Sequence, residues 1–386
     1  MIRKKRQRNI NMKIKNNKIN MAAIIVAVCI IASMACVSCN KKSEKQVYNV
    51  SNIQDFTENA LEYLQKIGTD FSDREPETEG IKAAKEWISE ELHSAGYEVI
   101  QDAFTEYGIN FCNIIVEKEG RDKNRQVIVG AHYDGTGLGD NGSGIALLLA
   151  AAVGLKNVSL PCKVVFIFFD GEEYGFFGSS HYAGNMSSDE KEKTLFMVNI
   201  DSLAFGDYCN VYGGNKNIYD ASDNDGNTLK TYEFVFDLAD AMGIKTWGID
   251  DLDGYFAKHG TGPEITDNTI YTNPWTKKNP APENSSSFSP NTIPYSDQVD
   301  FADNGIPYIY FEATNWFAGV KGTDLVYTGY IETYDTSLGE DGMFMNTEYD
   351  TLDNLEQIFP GRCRKHFQVY SPLLNGILLN ADRYQK

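Results

Sequence analysis

The sequence predicts an α/β fold in three layers, with helices on both faces of a mixed, mostly parallel sheet. Two observations carry this. Short runs of β-branched and aromatic residues alternate with helical patterns, and three of those runs stop at acidic or imidazole side chains. Val127 to Ala131 ends at His132, Val164 to Phe169 at Asp170 and the Glu172-Glu173 pair, and Leu195 to Ile200 at Asp201. In an open α/β sheet the ligand crevice lies beyond the carboxyl ends of the strands, so these side chains share one edge. With Asp140 in the glycine-rich Gly139-Asp140-Asn141-Gly142-Ser143-Gly144, one imidazole and several carboxylates converge on one spot. Zinc takes N and O ligands of this kind, and a carboxylate beside it serves as a general base.

The first 38 residues read as an export leader. Eight Lys or Arg and no acid precede an apolar stretch from Met21 to Ala35, which is short for a membrane span. The stretch ends in Ala35-Cys36-Val37-Ser38-Cys39-Asn40 and resembles a bacterial lipoprotein signal, with Cys39 the lipidated residue and Cys36 the alternative. An ordinary cleaved signal or an uncleaved anchor remains open, and each reading exports the domain. A polar tether follows over 39–51, and the single folded domain is expected over 52–386.

Within that domain a helix is expected over about Ile53 to Ile67. A second, Glu79 to Ala95, has Ile81, Ala84, Trp87, Ile88 and Leu92 on one face and stops at Gly96. Strands are expected at Tyr97 to Phe104, Phe111 to Val116 and Gln126 to Ala131, then an apolar helix from Gly144 to Leu155. Cys162 to Phe169 is the next strand, followed by a helix opened by Gly175 and running past His181. A strand near Cys209 to Tyr212 and a helix near Leu229 to Met242 follow. The stretch from Asp250 to Asn291, rich in Gly, Pro, Asn and Thr, reads as part of an irregular insertion over about 213–295. Its Asp220 to Gly226 run fails as a calcium loop, because Ala221 falls where the first ligand belongs. Ile306 to Phe311 is a last strand, and a helix from Cys363 to Leu379 closes the chain.

Composition excludes two partners. The net charge is −19 and becomes −27 once the eight basic leader residues are removed, so neither nucleic acid nor anionic lipid heads have a footprint; any membrane contact is through the N-terminal lipid. Cys112, Cys162, Cys209 and Cys363 match no disulfide framework and are expected as buried thiols.

Six segments stand in a telling order: Ala131-His132-Tyr133-Asp134, Gly139 to Gly144, Phe169-Asp170-Gly171-Glu172-Glu173, Asn199-Ile200-Asp201, Tyr295-Ser296-Asp297 with Gly305-Ile306-Pro307, and Asn346-Thr347-Glu348-Tyr349-Asp350-Thr351. From about Glu79 to Leu379, the insertion aside, the chain resembles the M28 zinc peptidases. These include leucyl aminopeptidases and glutamate carboxypeptidases, with glutaminyl cyclases as relatives. The resemblance implies a zinc-exopeptidase-like fold, a peptide substrate and one or two zinc ions. It makes Asp140 the carboxylate bridging two metals, with His132 and Asp201 completing one site and Glu173 contributing to the other. Glu172 is then the general base, and Asp134 holds the imidazole; Asp297 and Asp350 support loops or ligands from behind.

One position departs from that pattern. The family's closing motif has His where this chain has Asn346. An amide oxygen is a weaker zinc ligand and suits calcium, magnesium or manganese better, so the Glu173 site is expected to bind zinc weakly, take another divalent cation or stand empty. His93, His181 and His366 read as ordinary helical residues, while His259 in the insertion is the one imidazole free to reach back. Gln298, where relatives carry His or Tyr, has no reading. The expected activity is an exported, metal-dependent exopeptidase, foremost an aminopeptidase. The alternatives are a cyclotransferase like the glutaminyl cyclases and a non-catalytic surface binding lipoprotein with a degenerate metal site.

Overall fold

A computed structural model of the chain describes residues 46–214, 230–259, 262–272, 296–315 and 332–386. The expected leader (1–38) with Cys36 and Cys39, most of the tether, the Asp220–Gly226 run and Tyr295 lie outside the described residues.

The alternating pattern becomes one sheet of nine described strands: β1 (Ile100–Glu106), β2 (Ile109–Lys118), β3 (Asp122–His132), β4 (Cys162–Phe169), β5 (Thr194–Ile200), β6 (Tyr208–Gly214), β7 (Lys245–Trp247), β8 (Thr269–Tyr271) and β9 (Tyr308–Thr314). Their order is β1-β2-β4-β3-β5-β9-β6-β8-β7. The centre, β4-β3-β5-β9, is parallel, while β1 and β2 join as an antiparallel hairpin and β6 runs antiparallel to β9. Period-two alternation divides the central strands between two cores. Val127, Val129, Val164, Phe166 and Phe168 face one, and Ile128, Val165, Ile167 and Phe169 face the other.

Helices α1 (Thr57–Asp70), α2 (Glu79–Ser94), α3 (Gly142–Leu155) and α10 (Arg362–Leu379) bury their apolar residues in the first core. The α3 helix is apolar nearly all round because it is enclosed between the sheet, α1 and α10. The second core is closed by α4 (Phe177–Asn185) and α8 (Gln298–Asp303) through Ala183 and Phe301. The three layers and the mixed, mostly parallel sheet are those expected.

Two details differ from the sequence reading. The first helix starts at Thr57, not Ile53, because Asp55 Oδ1 accepts from the Thr57 N–H and hydroxyl just ahead of it. The stretch read as irregular contains α7 (Ile249–His259) and β8, and β8 pairs with β6 and β7 at the sheet's edge. Three-residue strands are too short to show a period in sequence. The remaining helices are α5 (Ser188–Lys193), α6 (Lys230–Met242) and α9 (Leu352–Ile358). All four described cysteines are buried free thiols.

Candidate metal centre

The carboxyl ends of β3, β4 and β5 deliver the residues the sequence singled out. His132 is the last residue of β3, Asp201 follows β5 directly, and Glu172 and Glu173 lie on the turn after β4. His132 Nε2 is 3.0 Å from Asp140 Oδ1, 3.5 Å from Asp201 Oδ1 and 3.9 Å from Glu172 Oε2. One candidate ligand atom each from His132, Glu172 and Asp201 lies within 4.8 Å of the others. Glu172 therefore stands close enough to be a ligand as well as a base. Asp170, at the end of β4, turns away: its Oδ2 accepts from the Cys112 N–H at 2.8 Å and Tyr133 Oη at 3.3 Å, and it fastens the hairpin strand β2 to the sheet.

Behind these side chains the polar groups are tightly engaged. Asp134 Oδ1 is 3.3 Å from His132 Nδ1, and its two oxygens accept the backbone N–H groups of Glu172 and Glu173 at 3.1 Å each. It thus ties the end of β3 to the turn after β4. Asp350 accepts from the N–H groups of Gly139 (2.5 Å) and Asp140 (3.2 Å), which fixes the loop that presents Asp140. Asn141 caps α3 by accepting from Gly144 N–H and donates to Ile200 O, joining that loop to β5. Two glycines are sterically required: Gly135 has φ +91°, and a Cβ on Gly137 would collide with Asp140 O and Asp350 Oδ2. Asp297 is fully buried, and among the described residues neither of its carboxylate oxygens has a hydrogen-bond partner.

The Glu173 side is different. Asn346, in a left-handed conformation (φ 55°) and exposed, directs Nδ2 to Asp140 Oδ2 at 3.2 Å and to Glu173 Oε2 at 3.3 Å. His259 does not complete this side. It ends α7, exposed, with its ring stacked on Tyr255 at 4.3 Å. His181 stacks on Phe104, and buried His366 binds Leu203 O through Nδ1 at 2.6 Å, whereas His93 lies exposed on α2.

Burial and mutual repulsion set the charge state of the cluster. Burial and neighbouring Asp201 push the Asp140 carboxyl up to about 6, although His132 opposes this. Burial and Asp140 push Glu173 up to about 8, and burial raises Glu172 well above the usual range. Burial alone would lower His132, but Glu172, Asp201, Asp134 and Asp140 together hold it well above its ordinary value. Asp201 ends below its usual value: burial raises it, but His132, Ser296 and Ser202 outweigh that. So many buried acids around one imidazole repel each other unless a cation sits among them. Among the described residues neither buried ring nitrogen of His132 has an aligned hydrogen-bond partner, although both face carboxylates, so the donor set fits a divalent metal.

Sequence reasoning missed three supports. Arg74 is fully buried and donates to the carbonyls of Phe71, Tyr133 and Gly137, beneath four acids of the cluster. Ser296 Oγ donates to Asp201 Oδ2 at 2.6 Å and accepts from Asn199 Nδ2, which also donates to Gln298 Oε1. Gln298 thus gains a role as an anchor for that chain. The Asn199-Ile200-Asp201 and Ser296-Asp297-Gln298 segments were noted, but only folding shows that they bond to each other.

Known proteins resemble this geometry in sequence and fold. Residues 113–243 match peptidase family M28. Leupeptin-inactivating enzyme 1 of Streptomyces exfoliatus is 33% identical over 130 residues, 32% of this chain and 30% of that protein. Leucine aminopeptidase 2 of Trichophyton equinum is 32% identical over 127 residues, 32% of this chain and 26% of that one. The matched stretch thus spans less than a third of either relative. Among solved structures, a Zn-dependent exopeptidase from Parabacteroides distasonis superposes with a TM-score of 0.54 at 17% identity, over 85% of this chain and 99% of that one. A glutaminyl cyclase from Porphyromonas gingivalis gives 0.52 at 19% identity, over 82% and 97%, and both likenesses concern the fold. Residues 113–243, which carry His132, Asp134, Asp140, Glu172, Glu173 and Asp201, match the model of peptidase family M28, and the chain as a whole has the fold of the solved zinc exopeptidase.

Proposed function

We infer that the protein is a metal-dependent exopeptidase that removes N-terminal residues from peptides, exported and held at the cell membrane by a lipid on Cys39. One observation carries the chemistry: a buried imidazole and the carboxylates of Asp140, Glu172 and Asp201 converge at the strand ends. His132, Asp140 and Asp201 would hold the cation. A divalent ion held there supplies Lewis acidity toward a carbonyl oxygen and toward water.

The remaining steps belong to the chain's own groups. Glu172, whose proton affinity is raised by burial and then by Asp201, Asp297 and Asp140, takes a proton from the attacking water at Oε2. As the C–N bond breaks, Glu172 returns that proton to the leaving amine, so the carboxylate is regenerated. Asp134 holds the Glu172 and Glu173 backbone in place and keeps a carboxylate oxygen 3.3 Å from His132 Nδ1.

The reading includes one strongly held ion. Asn346 brings an N–H donor, not a ligand nitrogen, to Asp140 and Glu173, which favours loss of the second site. The cyclotransferase alternative gains no support from the site, because the resemblance places its zinc on Asp140, Glu173 and the missing imidazole. The binding-protein alternative leaves Glu172 without a task. Elemental analysis of the purified protein after zinc loading tests the reading, together with hydrolysis of aminoacyl and N-acetylated peptides. One ion and cleavage restricted to free amino ends are expected. No ion, or equal cleavage of the blocked peptides, would overturn it.

A further inference from the structure

Glu173 is the site carboxylate that the single-ion reading leaves without a task. Its Oε1 is buried with no hydrogen-bond partner among the described residues, and its Oε2 faces the exposed Asn346 amide at 3.3 Å. Asp140 divides its oxygens in the same way: Oδ1 stands 3.0 Å from His132 Nε2, and Oδ2 accepts from Asn346 Nδ2 at 3.2 Å. A nitrogen donor therefore already sits between two carboxylates at the rim of the centre, one residue from Glu172. That donor is neutral and held on an exposed side chain, so water replaces its bonds at little cost.

We propose that Glu173 Oε2 and Asp140 Oδ2 form the receptor for the α-ammonium of the substrate, which displaces the Asn346 amide from that place. This assignment rests on the aminopeptidase reading above. An ammonium brings a full charge and three donors where the amide brings two neutral ones, and charge-assisted hydrogen bonds are roughly twice as strong. The arrangement gives a single-ion centre a means to select free amino ends without an ion at Glu173. It also gives Asn346 a role that the family's imidazole, a metal ligand, does not have. In the free protein its amide keeps the two carboxylates bonded until the substrate arrives.

The test is calorimetric binding to the zinc-loaded protein of leucinol and its des-amino analogue 4-methylpentan-1-ol, neither of which is hydrolysed, with the ion count measured in parallel. Leucinol is expected to bind about tenfold more tightly or better. Glu173→Gln should bring the two compounds level and keep one ion. Asn346→Lys, an exposed substitution that tethers an ammonium at the same place, should do likewise. Equal or undetectable binding of both compounds by the wild-type protein overturns the assignment. So do a preference that survives Glu173→Gln, a second ion in the wild-type protein, and loss of the ion from Glu173→Gln. A wild-type protein with no ion sinks the exopeptidase reading and this assignment with it, whereas one ion without amine preference sinks the assignment alone.

Discussion

The two sides of the acidic centre are built from unlike materials. His132 and Asp201 come from the ends of central parallel strands, are buried, and are braced from behind by Asp134, Ser296 and Ser202. Glu173 lies on a turn, and Asn346 is an exposed residue of a late loop. The first side is over-determined, since moving any member disturbs the sheet's two cores. The second can exchange one side chain for another with little consequence for folding. A departure from the family pattern is tolerated on the side where the backbone and solvent leave room for it, and Asn346 sits there.

Substitutions on the buried side should have the largest effects. Glu172→Gln is expected to lower turnover by about 10³-fold with the ion count unchanged; steady-state kinetics and elemental analysis check this. If the ion is lost instead, Glu172 is a ligand and its role as base is wrong. Next, Arg74→Ala leaves three backbone carbonyls and the acids above them without their buried cation, so urea unfolding should show a loss of about 3 to 5 kcal/mol. A loss below about 1 kcal/mol would mean that the cluster does not depend on that support.

Helix α10 provides a pH-dependent test of the same side. His366 Nδ1 faces Leu203 O and therefore carries the proton, and burial depresses the ring to about 4, well below its ordinary value. Above about pH 6.5 folded and unfolded chains both hold it neutral. As pH falls from there toward 4, the unfolded chain takes up a proton that the folded one refuses, so stability declines by about 3 kcal/mol in all. Other buried acids titrate in this range, so the informative quantity is the difference between the wild-type protein and His366→Gln across pH 4 to about 7. A flat difference would show that His366 is not held neutral.

The exposed side should give the smallest effect on stability. Asn346→His is expected to change unfolding free energy by less than about 1 kcal/mol without metal, yet to raise bound zinc from one ion to two. An unchanged ion count would place the barrier to a second ion elsewhere than Asn346.

Much of this was open to reading along the chain. Strand ends carrying His132, Glu172 and Asp201 stand out because buried strands are apolar runs and a polar residue at their end interrupts the run. The helix Glu79–Ser94 was visible for the same reason, its five apolar positions falling on one face. Arg74, Ser296 and Gln298 were not legible as parts of the site, since a single polar residue far away in sequence has no period to announce it. Their partners, Gly137, Asp201 and Asn199, are brought to them only by the packing of loops over the sheet.

Asp170 shows the limit most plainly. By sequence it ends a strand as His132 and Asp201 do, yet it turns toward β2 and binds Cys112 N–H. Local pattern determined the strands, the helices, the single imidazole and the set of acids from which a metal centre is drawn. Which acids face one another, which one braces the hairpin instead, and that an amide stands between Asp140 and Glu173 were decided by tertiary structure. Side-chain direction at a strand's end depends on the turn that follows and on the layer packed against it, and neither is encoded in nearest neighbours.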